Sequence, residues 1–289
     1  CSPAPNGAPE RVRPLSSGDD RVIYGDDNRL DLFQVTDPIQ LTWAYATVAL
    51  IDDRKFKYEN SQAHIYAENL GETRNLCKSE RFYDQKFAAF CSGFLVSEDT
   101  VVTAGHCVRS ASQCNRTKFV FGFSYFIPLA HPTILPEEDV YGCGELIHSE
   151  IDVYGSDFAV IRLNRPVKNR QPVSLRRTGT VKPGDPLTVI GHPSGLPTKI
   201  AGEAEVRSVE ESYFVANLDT YRGSSGSAVF NSQTGEVEGI LVRGERDYVP
   251  NNGCLISNIC PGEGCSGEGV THITNVLDHL ETIDTIHKK

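Results

Sequence analysis

The chain has 289 residues, 39% of them hydrophobic, with 25 Gly, 16 Pro and a formal net charge of −10. That length and composition describe a globular body able to bury a substantial core, and no apolar run approaches the roughly 20 residues that span a bilayer as a helix. The acidic balance argues against nucleic-acid binding or a polybasic membrane-surface role, since both need clustered Lys and Arg.

The first 20 residues, CSPAPNGAPERVRPLSSGDD, are rich in Pro, Gly and Ser, lack hydrophobic periodicity and read as a tether. There is no methionine in the chain, so a processed or trimmed form is expected. Cys1 ahead of such a tether resembles the mature amino terminus of bacterial lipoproteins, whose cysteine carries the lipid; a membrane tether through Cys1 is the corresponding expectation. The remaining eight cysteines, at 77, 91, 107, 114, 143, 254, 260 and 265, suggest four disulfides and an oxidising compartment. Spacing alone leaves their connectivity open.

From about residue 40 the pattern is short runs rich in Val, Ile, Phe and Tyr, split by Gly, Pro and Asn: WAYATVALI, CSGFLVS, TVVTA, KFVFGFSYF, DFAVIRL, PLTVIGH, EAEVRSV, YFVANL, SAVF and VEGILVRG. Strand-sized runs with turn residues between them predict an all-β sandwich or barrel. Residues 53–90 and 244–268 read as polar, Cys-bearing insertions, and the Pro-rich, basic stretch 165–186 as a surface crossing between two β halves. At the carboxyl end Ile273, Val276, Leu277, Leu280 and Ile283 fall on one helical face, predicting a docked amphipathic helix over about 274–287.

Three segments carry the chemistry. VVTAGHCV places His106 after an apolar strand, GSDFAVIRL places Asp157 at the head of another, and RGSSGSAVF places Ser225 in a Gly-rich turn before a third. Hydrolysis by serine requires a hydroxyl, an imidazole base, a carboxylate to hold the base's tautomer, and N–H donors aimed at the oxyanion. Each segment alone is a weak signal, but the chain order His, Asp, Ser is one of the few in which that triad occurs. An α/β-hydrolase would need the order Ser, Asp, His and a GxSxG elbow; here Ser227 fills the last position, and a strand follows instead of a helix.

TAGHC, DFAVIRL and GSSGSAVF resemble the three signature blocks of chymotrypsin-like serine endopeptidases, and the likeness spans roughly residues 40–285. In RVIYGDDNRLDL and GSSGSAVFN the style is closer to the bacterial glutamyl-endopeptidase branch. The resemblance implies two six-stranded antiparallel β-barrels, one over about 40–165 and one over about 185–272, with the active site between them and a C-terminal helix. It implies a disulfide between Cys91 and Cys107, His106, Asp157 and Ser225 as the triad, and the N–H groups of Gly223 and Ser225 as the oxyanion hole. Ser224 stands where trypsin has the aspartate that pairs with a freshly cut amino terminus. In the glutamyl branch the mature chain begins at a motif like Val22-Ile23, so residues 1–21 are expected to be a tether or propeptide, cut after Arg21, ahead of a peptidase domain over 22–289.

Side-chain preference stays open between acidic and basic. Asp219, with Thr220 beside it, lies six residues before Ser225, where trypsin holds the carboxylate that selects Lys or Arg, yet the same DT pair occurs in the glutamyl branch. Leu241 stands where that branch places its carboxylate-reading histidine. Arg243 and His272 are substitutes for it, and Leu241, Val242, Arg243 and Gly244 resemble the strand that pairs with substrate backbone. The histidines form no HExxH or other metal-binding spacing, and DDNRLD at 26–31 lacks the glycine and glutamate of a calcium loop. The expectation is therefore a monomeric peptidase acting on peptides or proteins without a cofactor, metal or nucleic acid, secreted or held at a bacterial cell envelope. The competing expectation is a non-catalytic binding or adhesion protein on the same scaffold, a class usually marked by loss of a triad member.

Overall fold

The computed structural model describes residues 19–20, 22–128, 132–152, 155–261 and 264–280. Cys1, most of the tether, Arg21 and residues 281–287 of the expected helix lie outside the described residues. Two closed six-stranded barrels dominate. The first contains β1 (Thr47–Asp52), β2 (Cys91–Leu95), β3 (Thr100–Thr103), β4 (Thr117–Phe121), β5 (Val140–Ile151) and β6 (Asp157–Leu163). Its strands pair in the order β3-β6-β5-β4-β1-β2, and β2 closes on β3. The second contains β7 (Pro186–Gly191), β8 (Lys199–Val209), β9 (Tyr213–Ala216), β10 (Ala228–Asn231), β11 (Val237–Glu245) and β12 (Glu268–His272). Here the order is β11-β10-β7-β8-β9-β12, closed by β12 on β11. All twelve barrel pairings are antiparallel.

Strands such as β1 and β6 read as nearly continuous apolar runs because both of their faces are covered, whereas β5 and β8 carry exposed or half-buried polar residues along much of their length. In β1 the alternation sends Val48 and Leu50 into one cluster, with Phe94, Phe119 and Phe158, and sends Ala49 and Ile51 into another, with Val120 and Phe123. The first of these clusters also takes in Ile190, Phe230 and Ile240 of the second barrel, so the barrels share apolar side chains along their contact. Leu187, Val189, Phe214, Val229 and Val270 fill the second barrel.

The run WAYATVALI divides between two elements. Its first residues belong to helix α1 (Pro38–Tyr45), and only from Thr47 does the chain extend as β1. Asp37 caps α1 by accepting from the Ile39 N–H at 2.8 Å, and Pro38 sits in the first turn, where its missing N–H costs nothing. Trp43 of α1 stacks on Phe230 of β10 with ring centroids 4.6 Å apart. At the carboxyl end a 3₁₀ turn (Ile273–Val276) precedes the α-helical residues 277–280. Ile273, Val276 and Leu277 pack into the shared core, as the helical-face pattern requires.

Disulfides join Cys77 to Cys254, Cys91 to Cys107, Cys114 to Cys143 and Cys260 to Cys265. All eight cysteines of the described residues are thereby paired. The first of these ties the insertion within 53–90 to the one within 244–268.

Candidate active site

His106 sits in a 3₁₀ turn (Gly105–Cys107) directly after β3, anchored on one side by the Cys91–Cys107 disulfide. Asp157 opens β6, and its main chain is fixed from the second barrel by Thr271 of β12, whose hydroxyl accepts from the Asp157 N–H at 3.1 Å. The two meet closely. His106 Nδ1 lies 2.7 Å from Asp157 Oδ2, and the His106 main-chain N–H donates to Oδ1 at 3.1 Å. With both carboxylate oxygens engaged, the ring carries its proton on Nδ1, and Nε2 is left as the basic nitrogen. Asp157 is 6% exposed, which keeps bulk water away from this pair.

Ser225 lies in the loop between β9 and β10 and opens on the same cleft of about 900 Å³ as His106, Asp157 and Gly223. The loop's geometry depends on two glycines. Gly223 has φ +101°, and a Cβ there would stand 2.7 Å from Gly195 N and from His192 O. Gly226 has φ +85°, and a Cβ would meet Ser92 O at 2.1 Å and Thr103 Oγ1 at 2.2 Å. Only glycine satisfies both the backbone and the space at these positions. Ser92 of β2 then ties the loop to the first barrel: its N–H donates to Ser225 O at 2.8 Å, and its hydroxyl donates to Gly223 O at 2.8 Å. The same hydroxyl accepts from His192 N at 2.9 Å.

The other residues singled out in the sequence separate. Val242 and Arg243 line the cleft; Arg243 Nη2 donates to Asp152 O at 3.1 Å and Gly155 O at 2.6 Å. Asp219, Thr220, Leu241, Gly244 and His272 are not among the lining residues. Both oxygens of Asp219 are taken by main-chain N–H groups of the amino-terminal segment, Tyr24 at 2.7 Å and Asn28 at 3.2 Å. Burial nonetheless pushes its carboxyl up to about 6 against those two bonds. Thr220 donates to the buried carboxylate of Glu268 at 2.9 Å, and a Cβ on Gly244 would run into that same carboxylate. Leu241 is fully buried in the second barrel. His272 packs against Phe214, with Nε2 3.0 Å from Glu210 O, and burial holds its ring below the usual histidine range.

Among the described residues the one cluster of metal-ligand types is Cys91, His106 and Cys107. Its two sulfurs are joined in a disulfide, which leaves no thiolate to bind a metal.

Sequence reading missed Ser92 and Thr271, which hold the Ser225 loop and the Asp157 strand from the opposite barrel. A serine next to Cys91 and a threonine in a strand carry no local signal; only the pairing of distant strands brings them to the site. The cationic lining was missed for the same reason. Arg54, Lys55 and Arg74 come from the β1–β2 connection, Arg109 and Arg116 from the β3–β4 connection and Arg222 from the β9–β10 loop; of the cations only Arg243, in β11, had been singled out in the sequence.

A double-barrel body with this cleft defines the class of trypsin-fold serine peptidases. Residues 91–240 match the family described as "Trypsin-like peptidase domain", and the chain belongs to that family: it is a serine peptidase. Among solved structures it is similar to a Glu endopeptidase in complex with MPD, with a TM-score of 0.53 and 15% sequence identity over 91% of this chain and 100% of that one. At that identity the likeness is one of fold. A comparison with curated proteins returned no match.

Proposed function

We propose that this serine peptidase is an endopeptidase that cleaves peptide bonds through Ser225, His106 and Asp157, by way of an acyl-enzyme. The observation that carries the proposal is the two-point seat of His106 on the shielded Asp157 carboxylate, in a cleft that Ser225 also lines. Ser225 Oγ attacks the scissile carbonyl carbon while His106 Nε2 takes the hydroxyl proton. The Gly223 and Ser225 N–H groups receive the oxyanion; His106 then gives its proton to the leaving amine, and water resolves the ester by the reverse sequence. Asp157 accepts from His106 Nδ1–H, holds the ring in place and stabilises the imidazolium. Ser225→Ala is expected to lower turnover on the order of 10⁴-fold or more and to abolish labelling by a fluorophosphonate. Labelling of the intact chain at a residue other than Ser225, or undiminished hydrolysis by the variant, refutes the assignment.

In this reading Asp219 does not select basic side chains, because its carboxylate is committed to Tyr24 and Asn28. The peptidase domain begins at Val22, after a tether or propeptide. Val22 and Ile23 are fully buried, Val22 O accepts from the Thr220 N–H at 3.3 Å, and Ile23 pairs with Ile259. A cut after Arg21 would place the new amine beside Thr220. Four disulfides support action outside the reducing cytosol, in secreted form or at a cell envelope. Among the described residues no helix is long and apolar enough to cross a membrane. Amino-terminal sequencing of active material tests the processing step: Val22 as first residue supports it and an intact tether refutes it.

A further inference from the structure

The chain as a whole is acidic, with 28 Lys and Arg against 38 Asp and Glu, yet its cleft is not. Seven arginines and lysines line that cleft against three aspartates, of which Asp52 pairs with Arg54 and Asp157 with His106. Positive side chains concentrated in a concavity of an otherwise negative body focus the field there and draw anionic ligands in.

The cations are not spread evenly. Five of them, Arg54, Lys55, Arg74, Arg109 and Arg116, lie in the β1–β2 and β3–β4 connections and make up a cationic ledge on the first-barrel side of the cleft, which also carries the Cys91–Cys107 disulfide. Lys55 Nζ lies 5.7 Å and Arg74 Cζ 5.4 Å from the centre of the Phe87 ring, and Lys55 donates to Ala88 O at 3.3 Å. The Arg116 carbonyl accepts from the Asp53 N–H at 2.9 Å, next to the Asp52–Arg54 pair, and Arg109 Nε donates to His106 O at 3.3 Å. Arg74, Arg109 and Arg116 are solvent-exposed, and among the described residues no carboxylate ion-pairs with them.

The position of this ledge decides which part of a substrate meets it. If an extended peptide lays its residues before the scissile bond along Val242 and Arg243 of β11, the first-barrel part of the lining, Phe87–Cys91 and the five cations, is left for the residues after that bond. We propose that the enzyme prefers substrates carrying Asp or Glu on the leaving-group side of the cleaved bond, a preference separate from whatever the pocket before that bond selects. The inference rests on the cleft serving as the peptidase site.

Exposed charge pairs are individually weak and salt-sensitive, so the preference is a summed effect that fades as salt screens it. Full-length protein carrying Ser225→Ala supplies a binding test independent of turnover. Three fluorescent peptides share one sequence before the scissile position and carry Glu, Gln or Lys at the positions after it. At low ionic strength the Glu peptide is expected to bind about tenfold more tightly than the Gln peptide and the Lys peptide more weakly than either, and high salt is expected to compress the series. Arg74→Glu with Arg116→Glu, added to the same background, is expected to remove the advantage of the Glu peptide while the folded-state circular dichroism is retained. Equal binding of the three peptides, or a Glu preference that survives the double charge reversal, overturns the inference. So does tighter binding of a sulfated oligosaccharide than of the Glu peptide, which would make the ledge a general polyanion site. Fluorophosphonate labelling of the unsubstituted protein at Ser225 decides the peptidase assignment separately, so the two readings fail in different experiments.

Discussion

At the scale of single residues, two buried titratable groups beside the Ser225 loop respond to acid in opposite senses. His192 is 1% exposed, its Nδ1 lies 2.9 Å from Leu196 O, and burial drives its ring down to about 3. The unfolded chain binds the extra proton near the ordinary histidine value of 6.5, so this group's contribution to stability is lost as pH falls from there toward 3. Asp219 runs the other way: with its folded value near 6 and its ordinary value at 3.8, the native state holds the extra proton between them. Stability from Asp219 therefore declines as pH rises from about 4 to 6. Asp219→Asn is expected to gain on the unsubstituted protein by on the order of 2 kcal/mol across that rise. His192→Asn, which keeps a donor near Leu196 O, is expected to gain on it as pH falls through the same window. Urea midpoints measured at a series of pH values check both, and a stability difference that does not change with pH refutes the corresponding assignment.

At the scale of elements, legibility in the sequence followed how local each determinant was. The barrel strands were readable because β-branched and aromatic runs between turn residues are a local pattern, and the three segments bearing His106, Asp157 and Ser225, which the fold brings to one cleft, could be singled out because each candidate group stands in a short local pattern. Helix α1 was obscured because Trp43, Ala44 and Tyr45 run without a break into the apolar residues of β1; the informative signal was the Asp37-Pro38 pair upstream. Strand pairing was not readable, and it is strand pairing that makes Ser92 a link between barrels. The Ser92 side chain serves Gly223 O and His192 N at once and is fully buried, so Ser92→Ala strands an acceptor and a donor where water cannot reach. The expected cost is about 2–3 kcal/mol. Because the carbonyl released belongs to the Gly223–Ser224 peptide, fluorophosphonate labelling of Ser225 is expected to slow as well. Loss of stability with an unchanged labelling rate would show that the loop holds its shape without this tie.

At the scale of the whole molecule, the Cys77–Cys254 disulfide joins parts of the chain 177 residues apart, one from the insertion that follows β1 and one from the loop that follows β11. Around it the contact is real but small: Leu255 N donates to Asn75 O at 2.9 Å, Cys77 N donates to Leu255 O at 2.8 Å, and Leu255 and Tyr248 pack on Leu70, Leu76, Phe87 and Leu196. The same loop carries Asp247, which accepts from the Arg222 N–H just ahead of Gly223, and the same insertion carries Arg74 and Phe87 of the cationic ledge. The disulfide thus braces both sides of the cleft from outside the barrels, whose own ladders close without it. Replacing both cysteines by serine is expected to cost about 2–5 kcal/mol, chiefly by restoring freedom to the unfolded chain. The native-state effect is expected to be local. Hydrogen exchange should accelerate at residues 75–77 and 254–257 while the strands of both barrels stay protected, because the local hydrogen bonds are few and the barrel cores do not depend on them. Uniform acceleration across the barrels would instead make this bond part of the cooperative core.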